Sequence, residues 1–282
     1  MRGAKESGPP IAEKRVWMLE NGRLQERTIA VVLEEPLALE INGRQAAVLM
    51  RLPGMEKELA VGFCLSEGLV ERFEDILLVH HCGQGLPAPG EDSPEGEGLS
   101  GNRVQMRVRT EALREEARLE VIRLVRAGCG AVDIERAELP LQALEEGPQV
   151  DAQALLKMGE IIRREQPLHK LAGGVHAAAL FHLDGTLVAL CEDVGRHNAV
   201  DKAIGHCLLR HIPLRDKVLL CTGRLSYEMV TKAIRIGIPI LASLSAPTAL
   251  AVQLAEQFRL TIVGYLRGQR MRIYAHPQRI RT

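Results

Sequence analysis

Short apolar runs broken by glycine- and asparagine-bearing turns carry the first third of the chain, and that pattern predicts strands. After a polar, proline-containing start over residues 1–14, expected to be poorly ordered, Val16–Leu19 and Thr28–Leu33 read as strands. Leu37–Ile41 and Gln45–Met50 flank Asn42-Gly43, and an Asn-Gly pair between apolar runs is the strongest short hairpin signal. Glu56–Leu65 reads as a helix, with Leu59, Phe63 and Cys64 on one side and Gly68 near its stop. Ile76–Val79 is a further strand. Gly83–Gly101 is a Gly/Pro/acidic loop with nothing to bury, expected to be mobile. Val104, Met106 and Val108 then alternate with polar neighbours, as in a half-exposed strand. Residues 15–110 are thereby predicted to form a small α+β domain of hairpins around one helix.

From Glu111 to Ala127 the apolar positions Leu113, Leu119, Ile122 and Val125 approximate one face, which predicts a helix ended by Gly128. A loop follows to Pro148, and Asp151 is placed to cap a helix over Ala152–Arg164. The chain is organised around Gly173–Lys202. There Ala177–Phe181 and Thr186–Cys191 flank Asp184-Gly185, a hairpin signature, and Glu192–Asn198 fills the junction between a buried strand and the next helix. Beyond it helix and strand alternate: Ala199–Leu209, Lys217–Cys221, Ser226–Ile236, Ile238–Ala242, Thr248–Phe258, Leu260–Tyr265 and Arg272–Ala275. That alternation predicts an α/β layered domain over residues 151–282, with residues 111–150 as a helix and cysteine loop between the two domains.

Composition narrows the class. The 282 residues suffice for one large core or two smaller ones, and 46% hydrophobic with 26% charged residues fits a globular protein. A formal net charge of zero gives no bulk attraction to nucleic acid or an anionic membrane. Aromatics at 3% also argue against a base-stacking surface. No apolar run reaches membrane-spanning length and the N-terminus has no signal-peptide core, so a cytoplasmic protein is expected. Its six cysteines form no CxxC pair and no zinc-type spacing, which in a reducing compartment means thiols.

Cys129 is the candidate reactive thiol. It is flanked by Gly128 and Gly130, so burial is disfavoured, and access is the first requirement of reactivity. A helix C-terminus would raise its pKa, while Arg123 and Arg126 would offset that. Cys64, Cys191, Cys207 and Cys221 lie in apolar segments and read as core packing. Cys82 follows His80 and His81, but adjacent strand residues point to opposite faces, which disfavours a shared metal. His176, in Val175-His176-Ala177-Ala178, stands where zinc deaminases carry His-Ala-Glu; Ala178 replaces the glutamate and no Pro-Cys-x-x-Cys exists, so hydrolytic deamination and zinc are not expected.

Glu192, Asp193, Arg196, His197 and Asn198 around Gly195 read either as a helix start with solvated charges or as a set for a heterocycle edge or a ribose, with Asp193 orienting His197. Thr222, Arg224 and Ser226 mark a second strand-to-helix junction, and Ser245 and Thr248 a third, where hydroxyls and free amides accept anions. Tyr265, Leu266, Arg267, Gly268, Gln269 and Arg270 turn between the last two strands. They form an exposed basic hairpin or a clamp whose arginines take phosphates in bidentate fashion.

Glu192–Lys202 (EDVGRHNAVDK), Thr222–Ser226, Ser245–Thr248, Tyr265 to the Tyr274-Ala-His-Pro ending, and Glu34–Arg44 (EEPLALEINGR) together resemble the FdhD family, formate dehydrogenase accessory proteins that act as sulfur carriers. The likeness covers nearly the whole chain. It implies an α/β protein, α+β overall, whose C-terminal domain is a cytidine-deaminase-like three-layer α/β unit with a smaller N-terminal α+β domain. It implies a sulfurtransferase in which a cysteine desulfurase loads Cys129 as a persulfide. The sulfur then passes to the molybdenum cofactor, bis(molybdopterin guanine dinucleotide), before insertion into formate dehydrogenase. GDP or GMP would stand in for that cofactor, Tyr265–Arg270 would bind it, and a homodimer is expected. The family often carries Cys-Gly-x-Cys; here Val132 replaces the second cysteine, which keeps open a cofactor-binding chaperone without sulfur chemistry.

Overall fold

The structure is a computed structural model that describes residues 10–83, 102–113, 123–125 and 141–282. A hairpin arm, β1 (Ile11–Glu20) and β2 (Arg23–Val32), opens the chain. The strands are longer than Val16–Leu19 and Thr28–Leu33, and order begins before residue 14. Asn21-Gly22, both at positive φ, closes a two-residue turn between them, the same device as Asn42-Gly43.

The next unit is a five-stranded sheet of order β5-β6-β3-β4-β7, from β3 (Glu35–Ile41), β4 (Arg44–Arg51), β5 (Ile76–Gly83), β6 (Asn102–Val108) and β7 (Arg123–Val125). Helix α1 (Glu56–Ser66) covers one face through Leu59, Phe63 and Cys64, which meet Leu37, Leu39, Leu49, Val104 and Met106. β7 corrects the expectation of one helix from Glu111 to Ala127. Thr110–Ala112 is a 3-10 turn, Leu113 bridges Val70, and the backbone of Arg123–Val125 pairs in parallel with Ala47–Leu49. The open edge of β4 offers unpaired backbone groups, and satisfying them outweighs the local helical period.

The C-terminal half has three layers. Its sheet has the order β10-β9-β11-β12-β13-β14, built from β9 (His176–His182), β10 (Leu187–Asp193), β11 (Lys217–Cys221), β12 (Ile240–Ser243), β13 (Thr261–Arg267) and β14 (Arg270–Ala275). β11, β12 and β13 run parallel, and β9, β10 and β14 antiparallel to their neighbours. One face carries α2 (Ala152–Arg164), whose Asp151 cap accepts from Gln153 N at 2.8 Å. The other carries α4 (Arg196–Leu209), α5 (Tyr227–Ile236) and α6 (Ala249–Gln257). The short α3 (Pro167–Ala172) precedes β9. A two-residue ladder of β15 (Ile280–Arg281) with β8 (Val150–Asp151) ties the C-terminus to the start of α2.

The halves join where α1 crosses α4. Gly62 lies against the Asp201 carbonyl and Gly205 against that of Glu58, so closely that a Cβ at either would collide with backbone. Glycine on both helices is what permits the approach.

Candidate functional site

Strand direction gathers the candidates. The C-terminal ends of β11 and β12 lie beside the start of β9 and the end of β10, the edge where open α/β sheets bind ligands. Thr222 Oγ1 accepts from Ala177 N at 3.0 Å and lies 3.3 Å from His176 Nδ1. Gly223 is backed by Arg196 and His176: a Cβ there would sit 3.0 Å from Arg196 Cδ and 3.5 Å from His176 Nδ1. Ser243 Oγ donates to Gly223 O at 2.6 Å and accepts from Ser245 N at 2.9 Å. Ser245 O accepts from Tyr265 N at 2.9 Å. One chain of contacts thus links Arg196, His176, Thr222, Gly223, Ser245 and Tyr265.

The EDVGRHN stretch divides by direction. Glu192 and Asp193 turn inward. Glu192 accepts from Leu168 N at 3.0 Å and His169 N at 2.9 Å, so it holds the first turn of α3. Asp193 is 0% exposed. Its Oδ2 takes Lys202 Nζ at 2.7 Å and Leu52 N at 3.2 Å, and its Oδ1 takes Gly195 N and Asn198 Nδ2, both at 3.0 Å. Asn198 also donates to Met50 O at 2.7 Å, and Lys202 to Leu52 O at 2.8 Å. These groups pin the β4–α1 connection to the C-terminal half. Asp193 therefore does not orient His197, contrary to the sequence reading. Glu228 does, with Oε2 2.9 Å from His197 Nε2, off the ring N–H direction, so the attraction is electrostatic.

Arg196 and His197 face the edge. The buried Arg196 Nε has no hydrogen-bond partner among the described residues. Burial, with Arg196, His197 and His169 adding like charge, holds His176 below the ordinary histidine pKa. The close approach of the His197 imidazole holds Glu228 below the usual carboxylate range, against the opposing pull of burial. Guanidinium and imidazole beside a helix start favour an anion.

The final hairpin supplies the far wall. Tyr265 has φ 52 and an exposed ring, and Arg272 Cζ lies 4.5 Å from the ring centroid. Gly264, just before it, lies close enough to Ser245 O and Pro247 that a Cβ would sit 2.9 and 3.0 Å away. Arg267 Nε donates to Leu244 O at 2.9 Å, and Arg270 pairs across the turn. Leu266 points the other way, into the core against Gly159. Gln269 borders a hollow of about 560 Å³ beside Lys157 and Glu160 of α2. Gly268, at φ 54, makes the turn. Arg224 and Thr248 are exposed, Thr248 Oγ1 capping α6 through Ala251 N at 3.3 Å. Ser226 Oγ is buried without a hydrogen-bond partner among the described residues.

Glu228, Arg272, Gly223 and Gly264 were not found from sequence. Their only signals were positions beside recognised residues: Glu228 two past Ser226, Gly264 just before Tyr265, and Arg272 two past Arg270. Cys129 lies outside the described residues. Among those described, no cluster of three His, Cys, Asp or Glu side chains is placed to hold a metal ion. Cys64, Cys191, Cys207 and Cys221 are buried as expected, and burial pushes Cys191 and Cys221 up to about 12 and Cys207 to about 11. No helix among the described residues is long and apolar enough to cross a membrane.

Comparison with known proteins follows the same lines. The chain is 37% identical to the sulfur carrier protein FdhD of Mycobacterium tuberculosis, over 97% of this chain and 99% of that one. It is 35% identical to the protein of that name from Thermoplasma acidophilum, over 93% and 90%. A crystal structure from Desulfotalea psychrophila, provisionally described as a formate dehydrogenase accessory protein, superposes with a TM-score of 0.72 at 26% identity, covering 97% of this chain and all of that one. A profile of the FdhD/NarQ family matches residues 32–281, and the chain belongs to that family.

Proposed function

We propose that this protein is a sulfur carrier that serves formate dehydrogenase, taking sulfur from a cysteine desulfurase as a Cys129 persulfide and passing it to the molybdenum cofactor. What supports the reading is family membership together with one edge of the sheet where Arg196, His197, Thr222, Ser245, Tyr265 and Arg267 converge. A guanine dinucleotide needs an aromatic face, cations for its phosphates and backbone that can approach closely. Tyr265 and the guanidinium of Arg196 fit the first two needs. Tyr265, Arg267 and Arg270 grip nucleotide and phosphates, while Arg196 and His197 complete the crevice.

In loading, the Cys129 thiolate attacks the outer sulfur of the desulfurase persulfide. That S–S bond breaks and the desulfurase leaves as its thiolate, with no net redox change. In delivery, a second thiol attacks the inner sulfur and releases the outer one as sulfide, leaving a disulfide at Cys129. One cysteine suffices for this, so Val132 is compatible with transfer. The molybdenum cofactor is cargo here, and the protein acts in the cytoplasm as a homodimer.

Incubation with a desulfurase and cysteine, followed by mass spectrometry, tests the reading. The wild type gains sulfur and Cys129→Ala does not; equal loading of both would overturn the assignment. A wild type that never gains sulfur yet binds guanine nucleotide would be a cofactor chaperone, the reading Val132 keeps open. Charge reversal of Arg267 and Arg270 weakens GDP binding by calorimetry about 10- to 100-fold, as loss of a charged hydrogen bond does. Unchanged affinity would remove the clamp.

A further inference from the structure

The register of the last hairpin sets Gly264 opposite Arg272 and Arg267 opposite Arg270, so β13 spends one residue more than β14 between the two pairs. That is a bulge, a device that re-aims a side chain beside a site. Val263 and Leu266 both pack into the core beneath α2, although residues three apart on a regular strand face opposite ways. Tyr265 is what leaves the pleat. Its φ of 52 is a conformation bulky residues rarely adopt, and Ser245 O holds its N–H at 2.9 Å. The residue is turned out to the sheet edge, 36% exposed. Arg272 shares one face of β14 with Tyr274, which packs against Gly264. From there its Cζ reaches 4.5 Å from the centroid of the Tyr265 ring. No acidic residue follows Glu256 in the chain, and among the described residues the Arg272 guanidinium has no carboxylate partner to draw it off the ring.

We propose that Arg272 is a positioning residue for the nucleobase, a role that rests on the nucleotide-binding reading above. It covers one face of Tyr265, so the base has only the other face on which to stack. A cation over a ring face is attracted by the ring's quadrupole, and that attraction holds the exposed ring in one orientation. A surface held before binding loses less freedom when the ligand arrives, and stacking on such a face tolerates any base because every base has a π-face. The backbone supports the assignment. Tyrosine stands at a positive φ where glycine would carry no steric cost, and strain of this kind gathers at ligand sites. The three arginines of the hairpin then divide the work. Arg267, fixed through Leu244 O, and Arg270 at the turn serve phosphates, whereas Arg272 serves the base through Tyr265.

Calorimetry of the full chain with GDP and with inorganic pyrophosphate separates the base from the phosphates. Arg272→Ala should weaken GDP binding about 5- to 30-fold, the range for a cation over a ring face. Its affinity for pyrophosphate should stay that of the wild type, which also shows that the variant is folded. Arg272→Lys should recover part of the loss, because an ammonium can occupy the same face. In a Tyr265→Leu background Arg272→Ala should add nothing, since its effect passes through the ring. Equal loss of GDP and pyrophosphate affinity would make Arg272 a phosphate ligand and overturn the proposal. Unchanged GDP affinity in Arg272→Ala, or additive losses in the double variant, would overturn it too while leaving the nucleotide site standing. A wild type that binds neither probe would overturn the nucleotide site and the role of Arg272 together.

Discussion

Asp193 accepts hydrogen bonds from Leu52 N, Gly195 N and Asn198 and pairs with the Lys202 ammonium, with neither oxygen exposed. Replacing it with alanine leaves the Lys202 ammonium buried without a counter-charge, a change that costs about 3–5 kcal/mol. Urea denaturation of Asp193→Ala should show that loss, whereas a change under 1 kcal/mol would mean water reaches Lys202 freely (about the scale of an exposed pair). His176 makes the opposite kind of prediction. Its folded pKa lies below the unfolded one, so its contribution to stability is fully present above the unfolded value, near pH 6.5. It is lost as pH falls through the folded value. An NMR titration of the ring should give a midpoint below that of a free histidine, and a midpoint above it would contradict the burial described. Bound anion should raise that midpoint, because the added negative charge favours the imidazolium.

At the scale of elements, the α1–α4 crossing depends on two absent side chains. Gly62→Ala or Gly205→Ala sets a methyl against a backbone carbonyl of the facing helix, which no rotamer change relieves. Either should lower stability by about 3 kcal/mol, the upper range for overpacking, and thermal unfolding would register it. A variant that melts like the wild type would show that the helices can separate without loss. Elements whose cause is local were readable beforehand: the turn at Asn42-Gly43, the Asp151 cap, the hairpin around Asp184-Gly185 and the alternation after Ala199. Arg123–Val125 was not, because its pairing partner is β4, more than seventy residues earlier in the chain. The arm was underestimated for a related reason. Glu13, Lys14, Arg23 and Gln25 look like loop, but a strand exposed on both faces needs no apolar alternation.

Across the whole molecule, Lys232 of α5 joins Asp201 of α4 at 2.9 Å, Glu67 beyond α1 at 2.6 Å and Ser66 at 2.8 Å. Burial alone would lower its pKa; Asp201 and Glu67 outweigh burial and hold the ammonium above the ordinary lysine range. Lys232→Met should destabilise the protein by about 3–5 kcal/mol, and adding Asp201→Asn should recover part of it, a coupling that a double-mutant cycle measures. Additive losses would mean the groups do not share one network. Chain order and turn chemistry were enough to foresee a mixed α/β molecule with polar junctions along one sheet edge, since those follow from neighbours in sequence. Which polar residues look outward was settled by folding. Asp193, Asn198 and Lys202 are as polar as Arg196 and His197, yet the close α1–α4 approach buries the first three against Met50 and Leu52 and leaves the last two at the rim. A side chain's chemistry is local, but its solvent and its partners are supplied by segments far away in the chain.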